Sequence, residues 1–398
     1  MTKTLDGLNA TTPRKDLFDG IAIVGKAVAT RSSLPILTHV LLRQDEGTGR
    51  LHMTATDLEM WIEHTMPASQ ETIVLTSGGS ATAPARNLAD LLGAMPEANV
   101  ELTSEGADGA GYALHLRCNR ANYKLLGLSP EEFPLLPQVK QDTQFRVKRE
   151  DLREAIRQTI FAVSSDEARA ILTGILVVYK EGKLRCVATD THRLAVRECA
   201  TIEGSSNETQ VVVPSRAMQE VLRIIGNADE GDVSITLSDN QVQFKVEDEK
   251  TGAGTTLISR LIEGQFPSYE RVIPQSADRI LTLERDPLLS AVKRAAIVAR
   301  ESANRIVFRT ADSEDGERLN ITAESGNLGN AFEEVEVARE GVDTPVEIAF
   351  NAKYLSDVLS VLDAEGLKIE LTEPLRPGVI RPVGDPNYFC VLMPMQVV

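Results

Sequence analysis

Apolar residues recur at helical spacing three times along the chain. Leu88, Leu91, Leu92 and Met95 follow the i, i+3, i+4, i+7 rule of an amphipathic helix, as do Met218, Val221, Leu222 and Ile225, and again Leu355, Val358, Leu359 and Leu362. Each set follows a short strand-like run: SATAPAR, QVVVPSR and VEIAFNAK. Pro84 and Pro214 precede the first two helices, and Asn351 is the expected N-cap of the third. An earlier helix also recurs. Leu152, Ala155, Ile156, Ile160 and Val163 predict one over Asp151 to Val163, and Asp286-Pro287 reads as an N-cap followed by proline at the first helical position of another. DLFDGIAIVGKAVAT fills the same slot near the start, weakened by Gly20 and Gly25.

Strand signals recur with the same period. LHMTATDLE begins at Leu51, LRCVATDTHRL at Leu184 and LNITAESGN at Leu319, so the intervals are 133 and 135 residues. Val233 to Leu237 and Gln241 to Val246 alternate, and Ser238-Asp239-Asn240 between them predicts a hairpin turn. Loops are expected over 201–209, 247–254 and 311–317. Each third is therefore strands, helix, strands, helix, strands: an α+β unit with two helices and short antiparallel strands, repeated three times. Proline-bearing ends, EEFPLLPQ and GQFPSYERVIPQ, set the domain boundaries near Gln141 and Gln275, giving domains 1–141, 142–275 and 276–398.

Composition narrows the class. The chain has 398 residues, 42% of them apolar and 25% charged, which is a globular composition long enough for two to four domains. No apolar run reaches membrane-spanning length and the first twenty residues hold no signal-type core, so a cytoplasmic location is expected. None of the four cysteines, Cys118, Cys186, Cys199 and Cys390, forms a CxxC pair, and they are expected to be buried free thiols. A net charge of −16 argues against gripping nucleic acid by bulk attraction, though not against a local basic surface.

Catalytic patterns are sparse. There is no GxxxxGK[ST], GxSxG, HExxH or GxGxxG, no histidine cluster with metal-ligand spacing, and no cofactor signature. The Gly-rich TGAGTT at Thr251 opens no helix, so it suits a hairpin tip better than a phosphate cradle. Asp190 and His192 lie two apart and could face one side of a strand as an acid/base pair. Asp57 holds the Asp190 position in the first copy, which favours a turn role instead. Arg153 and Arg157, Arg216 and Arg223, and Lys293 and Arg294 sit on the polar faces of matching helices, as solvated faces or as a shared polyanion-facing surface.

Taken together, ATDTHRLAV at Ala188, RSSLPIL at Arg31, FPSYERVIP at Phe266, FNAKYLSDVL at Phe350 and VLMPM at Val391 resemble the bacterial sliding clamps, the β subunits of DNA polymerase III. The resemblance runs from about Arg31 to the C-terminus. It implies a DNA clamp fold of three similar domains per chain, each with two helices and antiparallel sheets, two chains closing a six-domain ring around duplex DNA. It implies no catalysis, cofactor or metal. Implied partners are duplex DNA held without sequence preference, a second copy of the chain, the α subunit of DNA polymerase III, an ATP-driven clamp loader, and other polymerases and repair proteins with clamp-binding motifs.

The family's partner-peptide pocket maps onto Leu172, Thr189, Thr191, His192, Arg193, Leu194, Pro267, Arg271, Val272, Asn351, Tyr354, Leu375, Val391, Leu392, Met393, Pro394 and Met395. The apolar members would form an adaptable floor, while His192, Arg193 and Asn351 would fix peptide polar groups at the rim. Thr191 stands where glycine is usual, Ala303 where an aromatic can stand, Leu375 and Leu392 where valine is usual, and Gln396-Val397-Val398 replaces a basic-apolar end. Positions matching DNA contacts are Arg31, Arg86 and Arg169, the last without the tyrosines expected near Ala170 and Ile171. Positions matching the ring joint are Arg120 and Tyr123 on one side, Ile297 and Val298 on the other. An enzyme built on Asp190 and His192, and a specialised second clamp, are the alternatives.

Overall fold

A computed structural model describes residues 7–397 apart from 46–47, 49, 67–78, 107–110, 227–229, 249–251, 314–315 and 343. Residues 1–6 of the N-terminal segment, Thr251 of the Gly-rich stretch, part of the expected 247–254 loop and Val398 lie outside the described residues.

One order of elements is run through three times. The first pass is β1 (Asn9–Pro13), α1 (Arg14–Val24), β2 (His39–Gln44), β3 (Leu51–Thr56), β4 (Met60–Thr65), β5 (Gly79–Pro84), α2 (Ala85–Ala94), β6 (Asn99–Glu105), β7 (Tyr112–Cys118) and β8 (Ala121–Gly127). The second is β9 (Thr143–Lys148), α3 (Arg149–Ile160), β10 (Gly174–Lys180), β11 (Lys183–Thr189), β12 (Arg193–Ala200), the two-residue β13 (Glu203–Gly204), β14 (Thr209–Pro214), α4 (Ser215–Ile225), β15 (Asp232–Leu237), β16 (Gln241–Glu247) and β17 (Gly254–Arg260). The third is β18 (Arg279–Glu284), α5 (Arg285–Ala299), β19 (Arg305–Ser313), β20 (Gly316–Ser325), β21 (Gly329–Glu336), β22 (Ala338–Gly341), β23 (Glu347–Asn351), α6 (Ala352–Ser360), β24 (Gly366–Leu371), β25 (Gly378–Pro382) and β26 (Tyr388–Leu392).

Most of the expected apolar positions are buried, namely Leu88, Leu92, Met95, Met218, Val221, Ile225, Leu355, Val358, Leu359 and Leu362, whereas Leu91 and Leu222 are half-buried, and Met95 and Leu362 lie just past the ends of α2 and α6. Asn351 caps α6, its side-chain oxygen accepting from the Lys353 amide at 2.9 Å and the Tyr354 amide at 3.3 Å. Several boundaries differ from the sequence expectation. α3 begins at Arg149 and stops at Ile160, leaving Val163 in the following turn. α5 is capped by Glu284 without a side-chain hydrogen bond, so Asp286 and Pro287 lie inside its first turn, where the N–H that proline lacks has no helical partner anyway. Strand β18 runs straight into the helix and leaves no room for an Asp286 cap. The expected 311–317 loop is mostly strand, with β19 pairing β20 as far as Ser313 opposite Gly316, and the 201–209 loop contains β13. Gly20, expected to weaken α1, lets it pack close: a Cβ there would lie 2.1 Å from Met53 Cε and 3.1 Å from His64 Cδ2.

The same ladders form in each pass. The first hairpins give the orders β5-β2-β3-β4, β14-β10-β11-β12 and β23-β19-β20-β21, and the later strands give β1-β6-β7-β8, β9-β15-β16-β17 and β18-β24-β25-β26. Ladders of successive passes then join edge to edge. β4 pairs antiparallel with β17, Met60 opposite Ser259, and β12 pairs with β26, Arg193 opposite Leu392. Each junction makes one nine-stranded sheet, and each of the two compact units of the chain holds one such sheet. The first unit comprises residues up to Glu150 with Ile202–Asn207 and Gln219–Leu261; the second comprises Asp151–Thr201, Glu208–Met218 and the chain from Ile262. Within the first, α1 packs on β3, β4 and α2; within the second, α5 packs on β20, β21 and α6.

Candidate functional site

Asp190 is spent on the turn between β11 and β12. Its Oδ1 accepts from the backbone N–H groups of His192 at 2.9 Å and Arg193 at 3.0 Å, while Oδ2 accepts from Arg193 Nε at 3.0 Å. Thr189 Oγ1 accepts from the Thr191 amide at 3.1 Å and donates to the Arg193 carbonyl at 2.7 Å, holding Thr191 at φ +79°. The first copy repeats the three contacts to backbone amides. Asp57 Oδ1 accepts from the Glu59 and Met60 amides at 3.1 and 2.9 Å, and Thr56 Oγ1 accepts from the Leu58 amide at 2.9 Å with Leu58 at φ +75°. In the third, Ser325 Oγ accepts from the Asn327 and Leu328 amides, both at 3.3 Å. A carboxylate satisfied by its own turn three residues long is a structural device, and an acid/base pair with His192 does not form.

Arg193 is 7% exposed and braces the site instead of lining its rim. Besides Asp190 it donates through Nη1 to Asp357 Oδ2 at 2.6 Å and through Nη2 to the Phe161 carbonyl at 2.5 Å. Its guanidinium lies 4.5 Å from the Tyr354 ring centroid and 5.2 Å from that of Phe161. A buried cation needs this saturation, and three of the five guanidinium N–H groups are engaged within the chain, where the sequence suggested a residue open at the rim. Asn351 is similarly engaged: its oxygen caps α6 and its Nδ2 donates to the Ala303 carbonyl at 3.5 Å. His192 alone of that trio stays exposed and open, its ring stacked on Tyr354 at 6.1 Å.

Beneath lies an apolar floor. Leu194 and Val391 face each other across β12 and β26 and share a buried cluster with Leu176, Val187, Val196, Val212, Tyr269 and Val379. Ile171 and Phe266 pack against it only half-buried, Leu172 is 3% exposed, and Leu392 is buried opposite Arg193. Beyond β26 the chain stays beside the hairpin. The Met393 amide donates to the His192 carbonyl at 2.9 Å and the Met395 amide to the Ala349 carbonyl at 2.8 Å, which leaves Met393, Pro394 and Met395 half-buried. Pro267, Arg271 and Val272 are exposed around Tyr269, and Leu375 stands 70% exposed on the turn between β24 and β25 without a described contact to the others. Asp357 and Phe161 were missed from the sequence; the three-residue spacing from Tyr354 to Asp357 on α6 was the available signal for the former.

The basic positions divide. Arg31 and Arg86 are exposed, Arg86 lying 3.9 Å from Asp90. Arg169 is tied to Asp166 at 3.0 Å and donates to Thr191 Oγ1 at 3.4 Å. Arg157 pairs with Glu154 and Asp363, Arg223 with Glu220 and Arg294 with Glu333, so these helix faces carry ion pairs and not bare cationic stripes. Among the described residues, β8 and β21 stand at sheet ends and each pair on one side only. Tyr123 on β8 lies opposite buried Leu116 and is 38% exposed, with Arg120 exposed beside it. Next to β21, Ile297 on α5 is 61% exposed and Val298 half-buried. Burial pushes the Cys199 and Cys390 thiols up to about 12, and Cys186 higher; all four thiols are buried and unbridged. Among the described residues no three His, Cys, Asp or Glu side chains converge as metal ligands would, and no helix is long and apolar enough to cross a membrane.

Three family models match in succession: the N-terminal domain of the DNA polymerase III β subunit over residues 8–137, its central domain over 146–268 and its C-terminal domain over 270–396. The chain is 31% identical over 374 residues to the beta sliding clamp of Staphylococcus aureus, covering 93% of this chain and 94% of the relative. Among solved structures, the Bacillus subtilis DNA polymerase sliding clamp superimposes with a TM-score of 0.88 at 28% identity, covering 99% of this chain and 100% of that one. The Pseudomonas aeruginosa clamp bound to griselimycin does so with a TM-score of 0.88 at 29% identity, covering 98% and 100%.

Proposed function

As a member of the bacterial DNA polymerase III β-subunit family, this chain is a sliding clamp, a processivity factor without catalysis of its own, and we propose that it works as half of a closed ring. Its partners are DNA and the replicative polymerase. Domains 1–141, 142–275 and 276–398 would supply three of six ring segments.

The observation that carries the ring is one matching pair of sheet-end strands among the described residues. Within the chain the last strand of one pass pairs with the third hairpin strand of the preceding pass, as β17 with β4 and β26 with β12. Two strands of those types are left over, β8 and β21. Pairing β8 of one copy with β21 of another would repeat the junction already used twice, remove both edges, and close a head-to-tail dimer. Tyr123 would then pack on Ile297 and Val298 of the second copy. Arg117, Arg120 and Lys124 would face a strand carrying Glu333, Glu334 and Glu336.

In this reading DNA is held by topology, with Arg31, Arg86 and Arg169 as weak contacts, and the net charge of −16 prevents sticking. Tethering keeps the polymerase at high effective concentration after each dissociation. The floor formed by Leu172, Leu194, Val391 and Met393, with His192 above it, would take an apolar extended peptide from the polymerase, a clamp loader or repair proteins. A cytoplasmic, nucleoid-associated location follows. Retention on circular DNA tests the whole: protein loaded on circles should stay and should fall off after linearisation. Equal loss from circles and linear molecules would sink the proposal.

A further inference from the structure

The two hairpin turns at Asp57 and Asp190 share three side-chain contacts to backbone amides, and the residue each holds left-handed differs, Leu58 in the first and Thr191 in the second. The apolar group that Leu58 packs on in the first copy recurs in the sequence of the second. Ile36-Leu37-Thr38 recurs as Ile171-Leu172-Thr173, and Phe133-Pro134 recurs as Phe266-Pro267. In the first copy Leu58 packs onto a cluster in which Ile36 is 7%, Leu37 3% and Phe133 5% exposed. In the second, Leu172 is equally buried at 3%, but Ile171 and Phe266 are left half-exposed. Thr191 joins no apolar cluster there: it is exposed, and its hydroxyl accepts from Arg169. A bulky or β-branched residue at positive φ is strained, and both copies carry that strain at the same point.

We infer that the residue at this left-handed position gates an apolar cleft for extended peptides: Thr191 leaves the cleft of the second copy open, and Leu58 plugs its equivalent in the first, so that each chain offers one site and not two. The inference rests on the peptide pocket proposed above and extends it by naming what sets its number. A leucine here competes with a ligand because it covers the same apolar surface that the ligand would cover. Threonine is too short to cover it, and the hydrogen bond to Arg169 turns its hydroxyl to the rim.

The test is titration of the full-length protein with a fluorescein-labelled synthetic decapeptide whose C-terminal half is apolar, with circular-dichroism melts as the check on folding. The parent chain should bind one peptide per chain, and deletion of Met393–Val398 should remove it. Leu58→Thr should raise the number to two, or Leu58→Ala if the first variant does not fold. Thr191→Leu, which introduces the residue that position 58 already holds left-handed, should weaken binding at least about tenfold in a variant whose melt matches the parent's. A folded Leu58 variant that still binds one peptide, or Thr191→Leu binding as the parent does, overturns the gate and leaves the pocket standing. A parent chain that binds no peptide overturns the pocket and the gate with it.

Discussion

Arg193→Ala should be the most destabilising single change in the hairpin that carries it. Removing the guanidinium deletes three hydrogen bonds, to Asp190 at 3.0 Å, Asp357 at 2.6 Å and the Phe161 carbonyl at 2.5 Å, together with contacts to two aromatic faces. Two carboxylates are left without their cation. Breaking a buried pair by removing one partner costs about 3–5 kcal/mol. Asp190 is 14% exposed and Asp357 32%, so water recovers part of the solvation of the second, and the lower end, about 3 kcal/mol, is expected. For a cooperative unit of this size that is a fall of roughly 6–12 °C in melting temperature. Calorimetry measures it, and a double-mutant cycle with Asp357→Ala should return a coupling of about 1.5 kcal/mol or more. Arg193→Lys should fall between, since an ammonium keeps the charge but not the fork. A melting temperature for Arg193→Ala within about 1 °C of the parent would refute the bracing role, because a rim residue that only meets ligand costs little when removed.

Replacing Ile297 and Val298 with glutamate should give monomers in sedimentation, since the joint would bury unpaired charge; a persistent dimer places the joint elsewhere. Deleting Met393–Val398 should abolish polymerase binding in pull-downs while sedimentation still reports the dimer. Stability should fall as pH drops from 7.5 to 5.5. Burial holds the His64 ring below its usual 6.5, and His39 likewise, so the unfolded chain takes up protons that the folded one refuses. His64→Gln, retaining a partner for Thr255, should lose less of its urea midpoint over that range, and an identical loss would count against it. No thiol should react with a disulfide reagent before unfolding, given their burial and, for Cys199 and Cys390, values pushed up to about 12.

The six α-helices of the described residues and most of their buried faces, the hairpin at Ser238-Asp239-Asn240 and the Asn351 cap were legible in the sequence, because each depends on residues within about two turns or one hairpin of each other and periodicity reports local burial directly. The triplication was legible from the recurrence of these local signals at intervals of 133 and 135 residues. The Asp190 turn was legible for the same reason: Asp57 marks it at the equivalent place in the first copy. The start of α5 was not, because a strand running directly into the helix overrode a strong local signal at Asp286-Pro287. Which edges meet was decided by the tertiary structure alone. The β4–β17 and β12–β26 ladders join residues nearly 200 positions apart, and any alternating strand offers the same unpaired N–H and C=O groups until a partner is brought beside it. Arg193 shows the same division in a single side chain. A cation in a turn reads as available for a ligand, and only the arrival of Asp357 on α6 and of Phe161, just past the end of α3, turns it inward. Local pattern therefore determined the repeated unit, while the long-range placement of charges and sheet edges determined what its surfaces are free to bind.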